Sequence, residues 1–247
     1  MEKIWVFILL AISTILNTIV PFSGSATTTP LLALITDPHT AIGLASFYFA
    51  LSGIIRVFIF RKDLKFYYIK RLLPISLLGA VFGALSLIEI DPKILLIIIL
   101  LFLIYFTYKK IQGIRKVMAE NKKMHKLTLG FVGILSGFLQ GFGLGGSDLR
   151  SGYLYSEKLT IMEVRGTSSF IGASNFLLAT IIRLNTNQLK FADLSIFIYL
   201  LPIIIIATYL GRKVLLKINQ KYSDYIIIAF MILMIVLLAL GMFGIKL

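Results

Sequence analysis

Apolar positions in this chain are not confined to one face of each segment; they run on almost without interruption. Uncharged stretches extend from Ile4 to Thr36, Pro38 to Ile55, Leu72 to Ile88, Ile94 to Tyr108, Leu127 to Ser147, Gly166 to Ile182, Leu194 to Gly211 and Tyr225 to Ile245. Most come close to the roughly 20 residues that a helix needs to cross the hydrocarbon layer of a bilayer. Backbone groups inside a bilayer have no water to bond, so such runs are expected as helices. The pattern predicts an all-α integral membrane protein that crosses the bilayer many times. The first run is too long for a signal peptide and lacks a small-residue cleavage site, so it reads as a retained membrane element. The longest polar stretch, Lys109 to Lys126, is only a loop, which leaves the membrane-embedded part to carry the function.

Composition agrees and narrows the chemistry. Only 15% of residues are charged, against about 25% in soluble domains. The absence of cysteine excludes disulfides, thiolate metal sites and a cysteine nucleophile. His39 and His125 have no metal-ligand spacing to one another, and no cofactor motif is present. The formal charge of +14 raises nucleic acid as a partner, but the basic residues sit in short loops beside apolar runs, where they act as topology signals. The expected partner is the lipid bilayer, with no nucleic acid.

Three basic clusters set the orientation: Arg61 to Arg71, Lys109 to Lys126 and Arg212 to Lys221. With eight simple crossings, the third would face outward, against the excess of Lys and Arg on the cytoplasmic side. An internal repeat changes the parity. LNTIVPFSGSATTTP from Leu16 aligns with FLQGFGLGGSDLRSG from Phe138, placing Pro21 on Gly143, Ser23 on Gly145, Gly24 on Gly146 and Ser25 on Ser147. With one inserted residue, Gly43, Ser46, Phe47 and Ser52 then fall on Gly166, Ser169, Phe170 and Asn175. Each half reads as a broken or re-entrant helix pair followed by three full transmembrane helices. An odd number of elements per half inverts the second half relative to the first, puts the amino terminus outside and brings all three basic clusters inside. The divisions are 1–108, a first transmembrane repeat; 109–126, a basic cytoplasmic loop; and 127–247, a second transmembrane repeat.

Irregular backbone at membrane depth is tolerated where it is buried in protein or lines a cavity, and broken helices from two repeats meet near the midplane in many transporters. A short helix starting near Ser25 or Ser147 points its amino end, with unpaired N–H groups and a partial positive charge, into the centre. That chemistry suits an anion. Ser23, Gly24, Ser25, Thr28, Gly145, Gly146 and Ser147 are the expected tip residues, Arg150 and Arg165 the charged donors, and Thr167 and Asn175 further polar partners. Asp148 is a candidate proton-coupling group or a helix cap. Blander readings stand beside these. The glycine-rich stretch also suits an aqueous loop, Arg165 also suits an interfacial position, and Arg56 and Arg183, near the ends of apolar runs, read as snorkelling to the membrane surface. Ser52 and Asn175 also suit hydrogen bonds between helices.

The run Gly143-x-Gly145-Gly146-Ser147, with a small residue, Gly152, five positions on and Gly166-Thr167-Ser168 at the next helix, resembles the TauE/SafE family of sulfite exporters and toluene sulfonate uptake permeases. The resemblance spans essentially the whole chain, although the first tip reads Pro21-Phe22-Ser23-Gly24-Ser25 where the family commonly has glycines. It implies transport of small anions, typically sulfur oxoanions or organosulfonates, across a prokaryotic plasma membrane. No nucleotide-binding G-x-x-x-x-G-K-[ST] loop occurs, so transport is expected to be secondary or facilitated and the protein not an enzyme. An anion channel remains the alternative, as does a membrane phosphatase acting on a lipid pyrophosphate, although no paired glutamates share a face of an apolar helix.

Overall fold

The computed structural model describes residues 4–19, 23–34, 36–115, 126–215 and 220–242, and every regular element among them is helical. In chain order the α-helices are α1 (Ile4–Ile19), α2 (Ser23–Ala33), α3 (Pro38–Ile59), α4 (Phe66–Leu85), α5 (Pro92–Arg115), α6 (Lys126–Gly141), α7 (Ser147–Ser156), α8 (Ile161–Asn185), α9 (Ile196–Leu215) and α10 (Gln220–Met242). Helix α7 starts at Ser147 as the sequence suggested, and α2 starts two residues before Ser25.

Length alone sorts these helices. At about 1.5 Å per residue, the 16 residues of α1 and of α6 cover about 24 Å and stop short of a full crossing. The 11-residue α2 and 10-residue α7 follow them. The three remaining helices of each half have 20 to 25 residues, enough for a layer of about 30 Å. Among the described residues, α3, α4, the Pro92–Lys109 part of α5 and α8 are long and apolar enough to cross a membrane.

Helices α3 and α8 form the centre, with 56% of the apolar window of each buried, against 22% for α5 at the periphery. They cross antiparallel: Gly166 lies beside the Phe60 carbonyl, Gly53 against Ala173 and Gly43 against Leu189. Small residues at the crossing let the backbones approach, as is common where lipid removes the hydrophobic drive for helix association. Around this pair the partners exchange between halves: α4 packs on α6 while α9 packs on α1, and α5 packs on α10.

The α4–α6 contact is backbone to backbone. A Cβ on Gly79 or Gly83 would collide with the Ile134 or Phe138 carbonyl, and one on Gly137 or Gly141 with the Ser76 or Ala80 carbonyl. This parallel pair fixes the depth at which α6 ends.

The two ends of the bundle are distinct. At one end, Lys65 Nζ pairs with Glu163 Oε1 at 2.7 Å, Tyr68 OH donates to Glu157 Oε2 at 3.3 Å, and the Arg212 guanidinium stacks 5.7 Å from the centre of the Phe60 ring. The Arg61 to Arg71 cluster and the start of the third basic cluster therefore share an end. Residues 216–219 of that third cluster and residues 116–125 of the Lys109 to Lys126 loop lie outside the described residues. At the opposite end, His39 Nε2 donates to the Ile90 carbonyl at 2.9 Å. Asp37 caps α3 there, accepting from Thr40 N at 3.0 Å ahead of Pro38 in the first turn. Burial opposes the charged form of Asp37, but hydrogen bonds from Thr40 and His39 outweigh it and hold the carboxyl below its usual value.

The α4–α6 contact predicts an asymmetry between two glycines of one helix. Gly137→Ala should destabilise the protein by about 1–3 kcal/mol through overpacking against the Ser76 carbonyl. Gly130→Ala, where a Cβ meets nothing within 4 Å, should be neutral or slightly stabilising through helix propensity. Thermal unfolding of the two variants in detergent checks this; equal melting temperatures would contradict the packing.

Candidate anion-binding site

The break between α6 and α7 is built by glycine. Helix α6 ends in a Schellman turn: the Gly143 N–H reaches the Gln140 carbonyl at 3.0 Å and the Leu144 N–H the Leu139 carbonyl at 2.8 Å, with Gly143 at φ +86°. That conformation is strained for any residue with a Cβ. Gly145 and Gly146 follow, both at φ +103°, and Gly146 packs so closely on the Ser136 carbonyl that a side chain there would collide with it. Ser136 is one residue from Gly137, which packs on Ser76; Ser76 Oγ in turn donates to Asn175 Oδ1 at 3.2 Å. Helix α7 thus begins at the depth of the α3–α8 crossing.

The carbonyl ends of the broken helices meet arginine. Arg165 Nη2 donates to the carbonyl of Ile19, the last residue of α1, and Arg56 Nη1 donates to the Asn17 carbonyl at 3.4 Å. Arg183 Nη2 donates to the carbonyl of Gly141, the last residue of α6, and its Nη1 to Ser46 Oγ at 2.7 Å. The last carbonyls of a helix lack intrahelical partners and carry partial negative charge, so each guanidinium supplies both donors and compensating charge.

Arg150, one turn into α7, has 0% exposure and is held by three contacts. Its Nε donates to Ser168 Oγ at 3.1 Å, Nη2 to the Ser168 carbonyl at 3.1 Å and Nη1 to Gln140 Oε1 at 3.0 Å. A guanidinium has five N–H donors, so two remain beyond these bonds.

Between these groups lies a cavity of about 50 Å³, several times the roughly 10–15 Å³ that one water needs. Arg56, Arg150 and Arg165 border it together with Gly145 and Ser147 at the amino end of α7, and Phe49 and Phe176 supply apolar wall. Among its described lining residues none is acidic. On α8 the lining positions are Arg165, Ser168, Ser169, Gly172, Ala173 and Phe176, one helical face at i, i+3, i+4, i+7, i+8 and i+11.

A family model for the sulfite exporter TauE/SafE matches residues 6–240. The chain belongs to the TauE/SafE family. This is a family of membrane transporters for sulfite and related sulfur anions, not an enzyme family. Compared with curated proteins and with solved structures, the chain matches none.

Within this TauE/SafE chain the expected site residues separate into groups. Gly145, Ser147, Arg150 and Arg165 come together at the cavity. Gly146 stands behind them as the residue preceding α7. Asn175 is one step removed, donating through Nδ2 to Gln140 Oε1 at 2.7 Å. Thr28 pairs with Ser13 at 2.7 Å between α1 and α2, and Thr167 Oγ1 accepts from Lys65 N at 3.0 Å, so neither hydroxyl is directed to the cavity. Asp148 lies half-buried in the first turn of α7, within electrostatic range of Arg165 and Tyr155. Ser23, Gly24 and Ser25 form the start of α2; their side chains, and residues 20–22 before them, lie outside the described residues.

Two expectations are corrected. Arg183 does not snorkel: it is 1% exposed, because the Gly141 carbonyl and Ser46 give it partners inside. Arg56 turns inward to Asn17 and Ser52 and borders the cavity. Gln140, Ser168 and Ser169 line the cavity although they are not among the expected site residues. Helical phase was the available signal for the serines, since from Arg165 the i+3 and i+4 positions are Ser168 and Ser169, and Thr167 points elsewhere.

If Arg183 serves the α6 end, Arg183→Met should lower stability by about 1.5–3 kcal/mol, the range for a charge-assisted hydrogen bond. Arg71→Met, at an exposed position, should change it by less than about 0.5 kcal/mol. Thermal melts in detergent distinguish the two, and an Arg183→Met protein as stable as wild type would return this residue to the membrane surface.

Proposed function

We propose that the protein is a secondary transporter of a small oxoanion, in the first place a sulfur oxoanion such as sulfite, across a prokaryotic plasma membrane. The observation that carries this reading is the cavity at the α3–α8 crossing, bordered by three guanidinium groups and by the amino end of α7, with no acidic side chain among its described lining residues. Charge buried at membrane depth is expensive and retained for function, and an anion is what such a cavity compensates. Its volume of about 50 Å³ favours a compact inorganic oxoanion over a bulky aryl sulfonate. Phe49 and Phe176 in the wall reduce the local dielectric and strengthen each ionic contact.

The exchange of helix partners between halves, together with the antiparallel α3–α8 pair, supports inverted repeats with alternating access around a fixed central site. The positive-inside rule assigns the Arg61 and Arg212 end to the cytoplasm. In a chain without cysteine, Ala192→Cys should react in intact cells with a reagent confined to the outside, and Lys62→Cys only after permeabilisation. Labelling of both from the same side would contradict the inverted arrangement.

The site itself is tested through Arg150. Losing a charge-assisted contact removes about 1.5–3 kcal/mol, roughly tenfold to a hundredfold in affinity. Sulfite binding to detergent-purified protein, measured by calorimetry, should weaken by that factor in Arg150→Gln and recover only in part in Arg150→Lys, which lacks the planar fork. Near-native affinity in a folded Arg150→Gln protein would place the anion elsewhere.

A further inference from the structure

Gln140 is 2% exposed, lies in the last turn of α6 and borders the cavity. Its amide orientation is fixed by its neighbours. Arg150 Nη1 stands 3.0 Å from one amide atom of Gln140, and arginine has no acceptor, so that atom is the oxygen. The Asn175 atom 2.7 Å from the same oxygen must then be its amide nitrogen, which leaves Asn175 Oδ1 to accept from Ser76. With Oε1 receiving two donors, Nε2 is turned the other way, toward Gly172. A Cβ on Gly172 would lie 3.2 Å from Arg150 Nη2 and 3.3 Å from Gln140 Nε2, and Gly172 itself lines the cavity. Both nitrogens therefore border one gap, which exists because position 172 has no side chain.

Resting on the anion-transport reading above, we propose that Gln140 is a specificity-determining residue: its amide N–H groups, beside the unspent N–H groups of Arg150, select an oxoanion over a halide. The physical distinction lies in direction. Amide and guanidinium N–H donors aim along fixed lines and match the separate oxygen acceptors of a trigonal or tetrahedral oxoanion. A halide presents one spherical centre that accepts from any direction and gains little from the fixed aim of the two donors. The locked amide holds its donors in place before the anion arrives, so little ordering is needed on binding.

The decisive variant is Gln140→Glu. A carboxylate accepts the same bonds from Arg150 and Asn175 and keeps the packing, but it turns an acceptor with negative charge to the gap in place of a donor. Sulfite affinity of the purified protein should fall by about tenfold or more, with the thermal unfolding profile retained. Gln140→Met, similar in length and without donors, should lose more affinity for sulfite than for bromide, so that its preference for sulfite over bromide falls several-fold. This second variant decides the matter if Gln140→Glu does not fold. Wild-type sulfite affinity in folded Gln140→Glu, or an unchanged sulfite-to-bromide preference in Gln140→Met, overturns the role of Gln140 and leaves the Arg150 site standing. A wild-type protein that binds neither anion removes the site and this proposal with it.

Discussion

A helix that ends inside a membrane leaves its last carbonyl groups without partners and with partial negative charge, in surroundings where water does not reach them. Here the ends of α1 and α6 are both met by arginines from α8, Arg165 at Ile19 and Arg183 at Gly141. Those contacts let the chain turn back at membrane depth, and the rest of the site depends on the turn. Without them, two helix ends would project uncompensated negative potential into the bundle. Compensating the carbonyls leaves the amino end of α7 and the bordering guanidinium groups as the positive groups at the cavity.

Packing then sets position. The glycines of α4 and α6 bring two backbones into contact, so α6 ends at a fixed depth, and the left-handed turn at Gly143 to Gly146 returns the chain to the level of Ser136. Arg150 follows one turn later and is locked by Ser168 and Gln140. Two guanidinium roles thus separate within one small region. Arg165 and Arg56 are engaged with α1 carbonyls while bordering the cavity, whereas Arg150 takes its partners from side chains and the Ser168 carbonyl. Arg183 is not among the described cavity lining and donates to Ser46 Oγ and the Gly141 carbonyl.

Much of this was legible in the sequence. Glycines and serines clustered inside an apolar run marked the second break, and the alignment of Leu16 with Phe138 pointed to its counterpart. The family resemblance, carried by the same glycines, is upheld over residues 6–240. What stayed hidden depended on helical phase and on partners distant in sequence. Arg183 sits at the end of an apolar run, where snorkelling is the ordinary outcome, and only the arrival of Gly141, 42 residues earlier, gives it a reason to turn inward. Thr167 and Ser168 are adjacent and chemically alike, yet 100° of helix rotation sends one to Lys65 and the other to Arg150. Gln140 drew no notice as one amide at the end of an apolar segment; its importance comes from the two donors that fix its orientation.

In the proposed function an oxoanion is held at the Arg150 cavity and carried across by alternating access. Exchange of radiolabelled sulfite in proteoliposomes tests this most directly. Uptake should saturate with external sulfite, accelerate when unlabelled sulfite is loaded inside, and be largely lost in Arg150→Gln. Uptake that rises in proportion to concentration, gains nothing from internal sulfite and survives Arg150→Gln would contradict it.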